Sequence, residues 1–306
     1  MRRSPRGSTR RSIPRRKREA FRKAPALRES MTAPAHITDT RHPDAPLEKW
    51  LHEGRPFPRQ KVRPLKALRH LRNLFRDKEN TEEVFHIFRA LNGGAYERSF
   101  QRFMADPEGR KRVAEARVLP PLLDDHARWE RLPDGSFGRA YIDFMQSEGL
   151  TAAGLVAESL KAAGTMETRA RTDPLRLWWG DRSRDTHDMY HVLTGYGRDA
   201  LGEACVLAFT YPQHMGRGLK FIATLGALEA SRGMPRGCRV LRAVREGERI
   251  GREAVLIDAQ DLLGRFHLPL EEVRRELGVG RPEEYHRIHS QCRAAGVDPY
   301  DLVGGG

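Results

Sequence analysis

At 306 residues the chain is long enough to bury a core without disulfides or structural metals, and its three cysteines, Cys205, Cys238 and Cys292, are odd in number and far apart. This excludes a disulfide scaffold and points to a reducing compartment. The formal charge of +14 suggests a nucleic-acid binder until it is located: residues 1–30 hold twelve Lys/Arg against Glu19 and Glu29, a net of +10, leaving +4 for the other 276 residues.

Residues 1–60 are rich in Pro, Arg, Ser and Thr with no sustained apolar period, and read as a disordered basic tail plus loop. Only Phe21 within residues 1–30 could stack on a base, which makes nucleic acid a poor partner. Arg10 and Arg11 are followed by Pro14 and more basic residues rather than by an apolar segment, which argues against export. The Arg-rich start also fits an organelle transit peptide, and Met31 in MTAPAH fits an alternative translation start. No run of about eighteen apolar residues occurs, so no transmembrane helix is expected and any membrane contact is peripheral.

Order is expected from about residue 61. PLKALRHLRNLF places Leu65, Leu68, Leu71, Leu74 and Phe75 at helical steps, and TEEVFHIFRALNGG repeats the pattern behind Thr81 as a cap. Amphipathic segments continue through SFQRFMAD, GRKRVAEARVLPPLLDD, GRAYIDFMQSEGL, AGLVAESLKAAG, GLKFIATLGALEASRG and LPLEEVRRELGV. Only REAVLIDA, residues 252–259, reads as a strand or extended segment. The expected fold class is therefore all-α: a single helical domain over residues 61–280, with a metal-binding helical hairpin and a polar C-terminal tail over 281–306.

The hairpin is DTHDMYHVLTGYGRDALGEA, residues 185–204. On a helix His187 and His191 lie about 40° apart, with Asp188 about 60° beyond His191, so the three can address one point. Imidazole and carboxylate are natural ligands of zinc and related divalent ions. Gly195 and Gly197 can end the first helix, Asp199 can cap the next, and Glu203 then returns one turn in. A bare histidine pair at this spacing is common surface decoration; the two carboxylates make it a candidate metal set of His187, Asp188, His191 and Glu203. His286, His289 and Cys292 in YHRIHSQC lack a carboxylate-bearing second helix and read as solvated, while His126, His214 and His267 read as isolated structural histidines.

The spacing of His187, Asp188, His191 and Glu203, with Gly195 and LGE at 201–203, resembles the signature of the coenzyme Q biosynthesis protein 4 family. LPDGSFGRAYIDFM at 132–145, Arg184 and LPLEEVRRELGV at 268–279 are similar to other blocks of that family, so the resemblance covers roughly residues 62–280. TYPQHMGRG and both ends have no recognised counterpart. The resemblance implies ubiquinone biosynthesis: metal-dependent oxidative decarboxylation, replacing the C1 ring carboxylate of a polyprenyl hydroxybenzoate with a hydroxyl, and organisation of the other biosynthetic enzymes. It implies a divalent metal, most naturally zinc, and catalytic roles for Asp188 and His191. The chain shows no flavin or nicotinamide fingerprint.

Four protein ligands would fill a tetrahedral ion, so either its coordination expands or Asp188 works from outside as a proton acceptor or histidine orienter. Arg184 and Arg198 could steer a carboxylate. The apolar stretch 204–228 reads as a core helix pair or as a lipid groove, with Leu207, Phe209, Leu219 and Phe221 against a prenyl chain or bilayer and Arg217 and Lys220 at headgroups. A non-catalytic lipid-binding scaffold is one alternative; an HD-type metal phosphohydrolase, recruiting His126 and Asp258, is another. Expected partners are the polyprenylated intermediate, other ubiquinone enzymes, a membrane surface and a second copy of the chain. The expected location is cytoplasmic at a bacterial inner membrane, or alternatively the matrix side of the mitochondrial inner membrane.

Overall fold

A computed structural model of the chain describes residues 61–76, 93–161 and 172–302, with Glu83, His86, Ile87, Ala90, Leu91 and Arg169. The basic tail expected over residues 1–60, the Thr81 cap and most of the second amphipathic segment lie outside them. Among the described residues every regular element is helical, and the fold is all-α. No helix there is long and apolar enough to cross a membrane.

Local chemistry sets the boundaries. Helix α1 spans Pro64–Arg76, α2 spans Ala95–Ala105, and α3 spans Pro107–Glu115, where Asp106 caps the Glu108 amide and Pro107 occupies the first helical position. Two single turns follow, α4 (Pro120–Leu123) and α5 (His126–Trp129). Helix α6, Phe137–Glu148, starts on a Ser136 cap and stops at Gly149 in the left-handed region. Its face of Phe137, Tyr141, Ile142 and Met145 is buried at helical spacing. Helix α7 is Ala152–Lys161.

Helix α8, Pro174–Asp185, begins on an Asp173 cap and is followed directly by α9, His187–Thr194. Helices α10 (Ala200–His214), α11 (Arg217–Ala230) and α12 (Val240–Glu253) then form a layered unit with α10 between the other two, which is why α10 is apolar around most of its circumference. The chain closes with α13 (Leu270–Leu277) and α14 (Glu283–Ala294).

The main core gathers α6, α9, α10 and α12 to α14 around Tyr190, Tyr196, Phe209 and Phe266. Phe266 meets Trp129 and Phe137 edge-on at ring separations of 4.9 and 5.1 Å and Tyr141 at a tilt at 5.5 Å; edge-on pairs add about 0.5–1.5 kcal/mol each beyond area burial. A second cluster joins Phe100, Phe103, Trp178 and Trp179.

Three expectations change. Helix α1 buries Ala67 and His70, while Leu65 and Leu68 face outward, because the small Ala67 side chain fits against Ile87, Ala90 and Ile222. REAVLIDA is not a strand: Arg252 and Glu253 finish α12, and 257–259 form a single 3₁₀ turn. Ala254, Leu256, Ile257 and Ala259 are buried by the helices around them while Val255 faces outward, and the Ile257 amide is bonded by the Gln213 side chain instead of a neighbouring strand. The segment read as a polar C-terminal tail contains α14, which buries Tyr285, Ile288, His289 and Cys292. Its polar composition belongs to its outer face.

Candidate metal centre

The hairpin forms as its turn chemistry requires. Gly195 ends α9 at φ +77°, a conformation costly for a side-chain-bearing residue, and its amide returns to the His191 carbonyl at 2.8 Å. Asp199 then caps α10, one carboxylate oxygen accepting from the amides of Leu201 and Gly202 at 3.2 Å each. A Cβ on Gly202 would lie 2.0 Å from the Gly197 carbonyl oxygen, so only glycine lets the turn lie this close to α10. From α13, Arg274 donates to the carbonyls of Val192 and Leu193 at 2.8 Å each, satisfying the end of α9.

This geometry brings His187, His191 and Glu203 together. Each offers one ligand atom, all within 4.8 Å of one another, and they are the one such group among the described residues. Glu203 Oε2 lies 3.5 Å from His191 Nε2 and 4.0 Å from His187 Nε2. His191 is 1% exposed, whereas His187 and Glu203 are 30% and 36% exposed, so the cluster opens to solvent on one side. The His191 ring stacks on Phe144 at 5.4 Å and meets His187 edge-on at 5.2 Å.

The hydrogen bonding fixes the chemistry of His191. Its Nδ1 lies 3.1 Å from the Tyr196 carbonyl oxygen, which can only accept, so Nδ1 carries a proton. In the neutral ring Nε2 then aims a lone pair at a carboxylate oxygen, an arrangement stabilised only by a proton or a cation between them. Burial disfavours the imidazolium, but the adjacent Glu203 carboxylate outweighs it and holds the His191 pKa above its ordinary value. Burial and the neighbouring His191 hold His187 below its ordinary value. Glu203 is pushed up by burial, yet His191, His187 and Arg198 together hold it low, so it is anionic. A zinc ion with bonds of about 2.1 Å keeps tetrahedral donor atoms roughly 3.4 Å apart, close to the observed separations. The donor set fits a divalent ion with one or more positions left for water or substrate.

Asp188, expected as a fourth ligand, lies outside the three-atom cluster. It sits buried in the first turn of α9, where its charge complements the helix N-terminus and helps push up the buried Tyr141 hydroxyl. Arg184 turns to its own helix, bonding Asp181 at 3.0 Å and Asp185 at 2.8 Å. Arg198 does face the site, 3.4 Å from Glu203 Oε1. Phe209 is fully buried against Tyr190 and lines no open groove, because it sits on the inner side of the central helix. Leu207 and Leu219 are partly buried, while Phe221 and Leu228 are exposed on α11 beside exposed Arg217 and Lys220.

His126 and Asp258, the recruits a phosphohydrolase would need, offer no atom to the cluster. Asp258 instead accepts from Trp179 Nε1 and Ser183 Oγ at 3.0 and 3.1 Å. His289, read as solvated, is buried with its Nε2 3.2 Å from Asp199. Sequence reasoning missed this contact, Arg274 and Tyr285, all 70 or more residues from the hairpin and without a local signal that links them to it.

A family model described as coenzyme Q (ubiquinone) biosynthesis protein Coq4 matches residues 72–283. The chain is similar to a mitochondrial ubiquinone biosynthesis protein COQ4 homolog of Bos taurus, 28% identical over 179 residues, 58% of this chain and 63% of the relative. The corresponding protein of Rattus norvegicus is 30% identical over 59% of this chain and 64% of its own. A mitochondrial coq4 protein of Neosartorya fischeri is 24% identical over 70% and 68%. The matched part thus spans just under two thirds of the mammalian relatives. A solved structure from Nostoc punctiforme, provisionally described as a ubiquinone biosynthesis protein, superposes with a TM-score of 0.54 at 20% identity, covering 72% of this chain and all of that one; it supports the fold.

Proposed function

The chain belongs to the coenzyme Q (ubiquinone) biosynthesis protein Coq4 family, and from that premise we propose that it acts in ubiquinone synthesis, as a metal-dependent enzyme that replaces the C1 carboxylate of a polyprenylated hydroxybenzoate with a hydroxyl. The observation that carries this reading is the convergence of His187, His191 and Glu203 on one point, with the Nε2 lone pair of His191 facing an anionic carboxylate. These three residues would hold the ion, zinc by preference for this donor set. When bound, such an ion polarises substrate oxygens and stabilises negative charge left as carbon dioxide departs.

The remaining work falls to the chain. The Tyr196 carbonyl and the Phe144 ring fix the His191 imidazole, so ligand geometry is set before substrate arrives. Arg198, at the open edge of the cluster, attracts the substrate carboxylate. Asp188, buried one residue from His187, takes the role of proton acceptor rather than ligand in this reading. The conversion removes two electrons from the substrate and so consumes an external oxidant of the oxygen class. Phe221 and Leu228, with Arg217 and Lys220 on the same exposed helix, support peripheral contact with the membrane that holds the prenyl chain.

The test is mass spectrometry of quinone intermediates in cells lacking this gene, restored with the wild-type chain or with His191→Ala at equal level. The reading expects wild type to make ubiquinone and His191→Ala to accumulate prenylated intermediates that retain the carboxylate. Equal restoration by both would replace it with a non-catalytic, lipid-binding scaffold role.

A further inference from the structure

The Asp199 carboxylate divides its work between two elements. One oxygen caps the first turn of α10 through the amides of Leu201 and Gly202. The other accepts from the Tyr285 hydroxyl of α14 and lies 3.2 Å from His289 Nε2, one turn further along the same helix. The Tyr285 hydroxyl also accepts from the Gly197 amide at 2.9 Å. A single phenol thus bridges both sides of the turn that joins the histidine-bearing helix to the glutamate-bearing one.

The grip is tight and dry. Asp199, Tyr285 and His289 are all buried, and a Cβ on Gly197 would lie 2.9 Å from the Tyr285 hydroxyl and 2.3 Å from that of Tyr300. The Tyr285 ring packs edge-on against Tyr196 at 5.2 Å, and it is the Tyr196 carbonyl that orients His191. Glu203 follows Asp199 by one helical turn, its amide bonded to the Asp199 carbonyl at 2.9 Å. A shift of Asp199 therefore carries Glu203 with it, while the histidines stay with α9 and its Arg274 anchor.

We infer that Tyr285, supported by His289, is a positioning residue of the metal centre: through Asp199 and Gly197 it sets the distance of Glu203 from His187 and His191. This rests on the proposed metal site and goes beyond the family match, which ends at residue 283, where α14 begins. Neither residue touches the cluster; both act through the turn. Outer partners of this kind typically change metal affinity by about 10–100-fold when removed.

The experiment uses the full-length chain as wild type, Tyr285→Phe, His289→Gln and, as a control on the same helix, Ile288→Ala, which removes buried apolar contacts without removing a polar group from the turn. Zinc affinity is measured by competition with a chromophoric chelator, thermal stability by unfolding, and amide exchange over residues 195–203 in the absence of metal. Tyr285→Phe should weaken zinc binding by about 10-fold or more and speed exchange in that segment, with His289→Gln smaller in the same direction. Ile288→Ala should lower the melting temperature at least as much while leaving both readouts near wild type. Wild-type affinity and wild-type exchange in Tyr285→Phe, or equal losses in Ile288→Ala, would overturn the inference. If the wild-type chain itself binds no zinc, the metal reading fails on its own, and the exchange data still decide whether Tyr285 holds the turn. Should Tyr285→Phe fail to fold, His289→Gln carries the same comparison.

Discussion

The histidine–carboxylate pairs His214–Asp258 and His191–Glu203 use the same chemistry to different ends. At His214 and Asp258 the carboxylate oxygen that the imidazole approaches at 3.4 Å also takes the indole N–H of Trp179 and the hydroxyl of Ser183, and Asp258 is 1% exposed. Those donors neutralise and fix the anion, so the pair holds α8, α10 and the segment after α12 together. At His191 and Glu203 the carboxylate is open to solvent, two imidazoles converge on one oxygen, and in the neutral ring the buried nitrogen offers only a lone pair. Pair identity does not decide function. What decides it is whether fixed donors already occupy the carboxylate and whether a ligand from solvent can reach it.

The sharpest way to break the comparison is to remove a ligand. His191→Ala and His187→Ala should each weaken zinc binding by at least about 100-fold, measured by chelator competition, whereas His214→Ala should leave affinity unchanged. Equal losses from His214→Ala would erase the distinction between the two pairs. Gly202→Ala comes next: its new methyl collides with the Gly197 carbonyl, so unfolding experiments should show a loss of about 3 kcal/mol, with a loss of metal affinity because α10 must move.

Asp258→Asn should cost about 3 kcal/mol without changing zinc affinity, and it carries a pH signature. Burial raises the Asp258 carboxyl, but His214, Arg182 and Ser183 outweigh it and hold the folded pKa below the ordinary value. The folded state therefore binds fewer protons than the unfolded one. The stabilisation is present above the unfolded pKa near 4 and lost as pH falls through the lower folded value. Acid unfolding followed by tryptophan fluorescence should be less steep below about pH 4 in Asp258→Asn than in wild type. The smallest effect is expected for Arg198→Ala at the exposed edge: stability within about 1 kcal/mol and metal affinity within a few-fold, with any larger change falling on KM for the anionic substrate.

The differences between the sequence reading and the structure follow one rule. His187, His191 and Glu203 were legible because helical periodicity and a short turn fix their relative positions locally, and Asp199 and Gly195 announce that turn. Asp188 passed the same angular test but sits in the first turn of α9 with its oxygens outside the cluster, a distinction that residue spacing does not encode. Phe209 and Phe221 looked alike as groove candidates on neighbouring apolar helices. The layering of α10 between α11 and α12 buries the first and exposes the second.

By itself, then, the sequence determined the helical class, the stop of α9 and the cap of α10, and the residues of the candidate centre, since capping, left-handed glycine and helical periodicity act over a few residues. The tertiary structure alone decided that YHRIHSQC is a core helix whose Tyr285 and His289 hold Asp199, that Arg274 closes the end of α9, and that Asp258 belongs to a structural nest. Each of these joins groups more than 40 positions apart, where packing of whole helices, and not local backbone preference, sets which polar atoms meet.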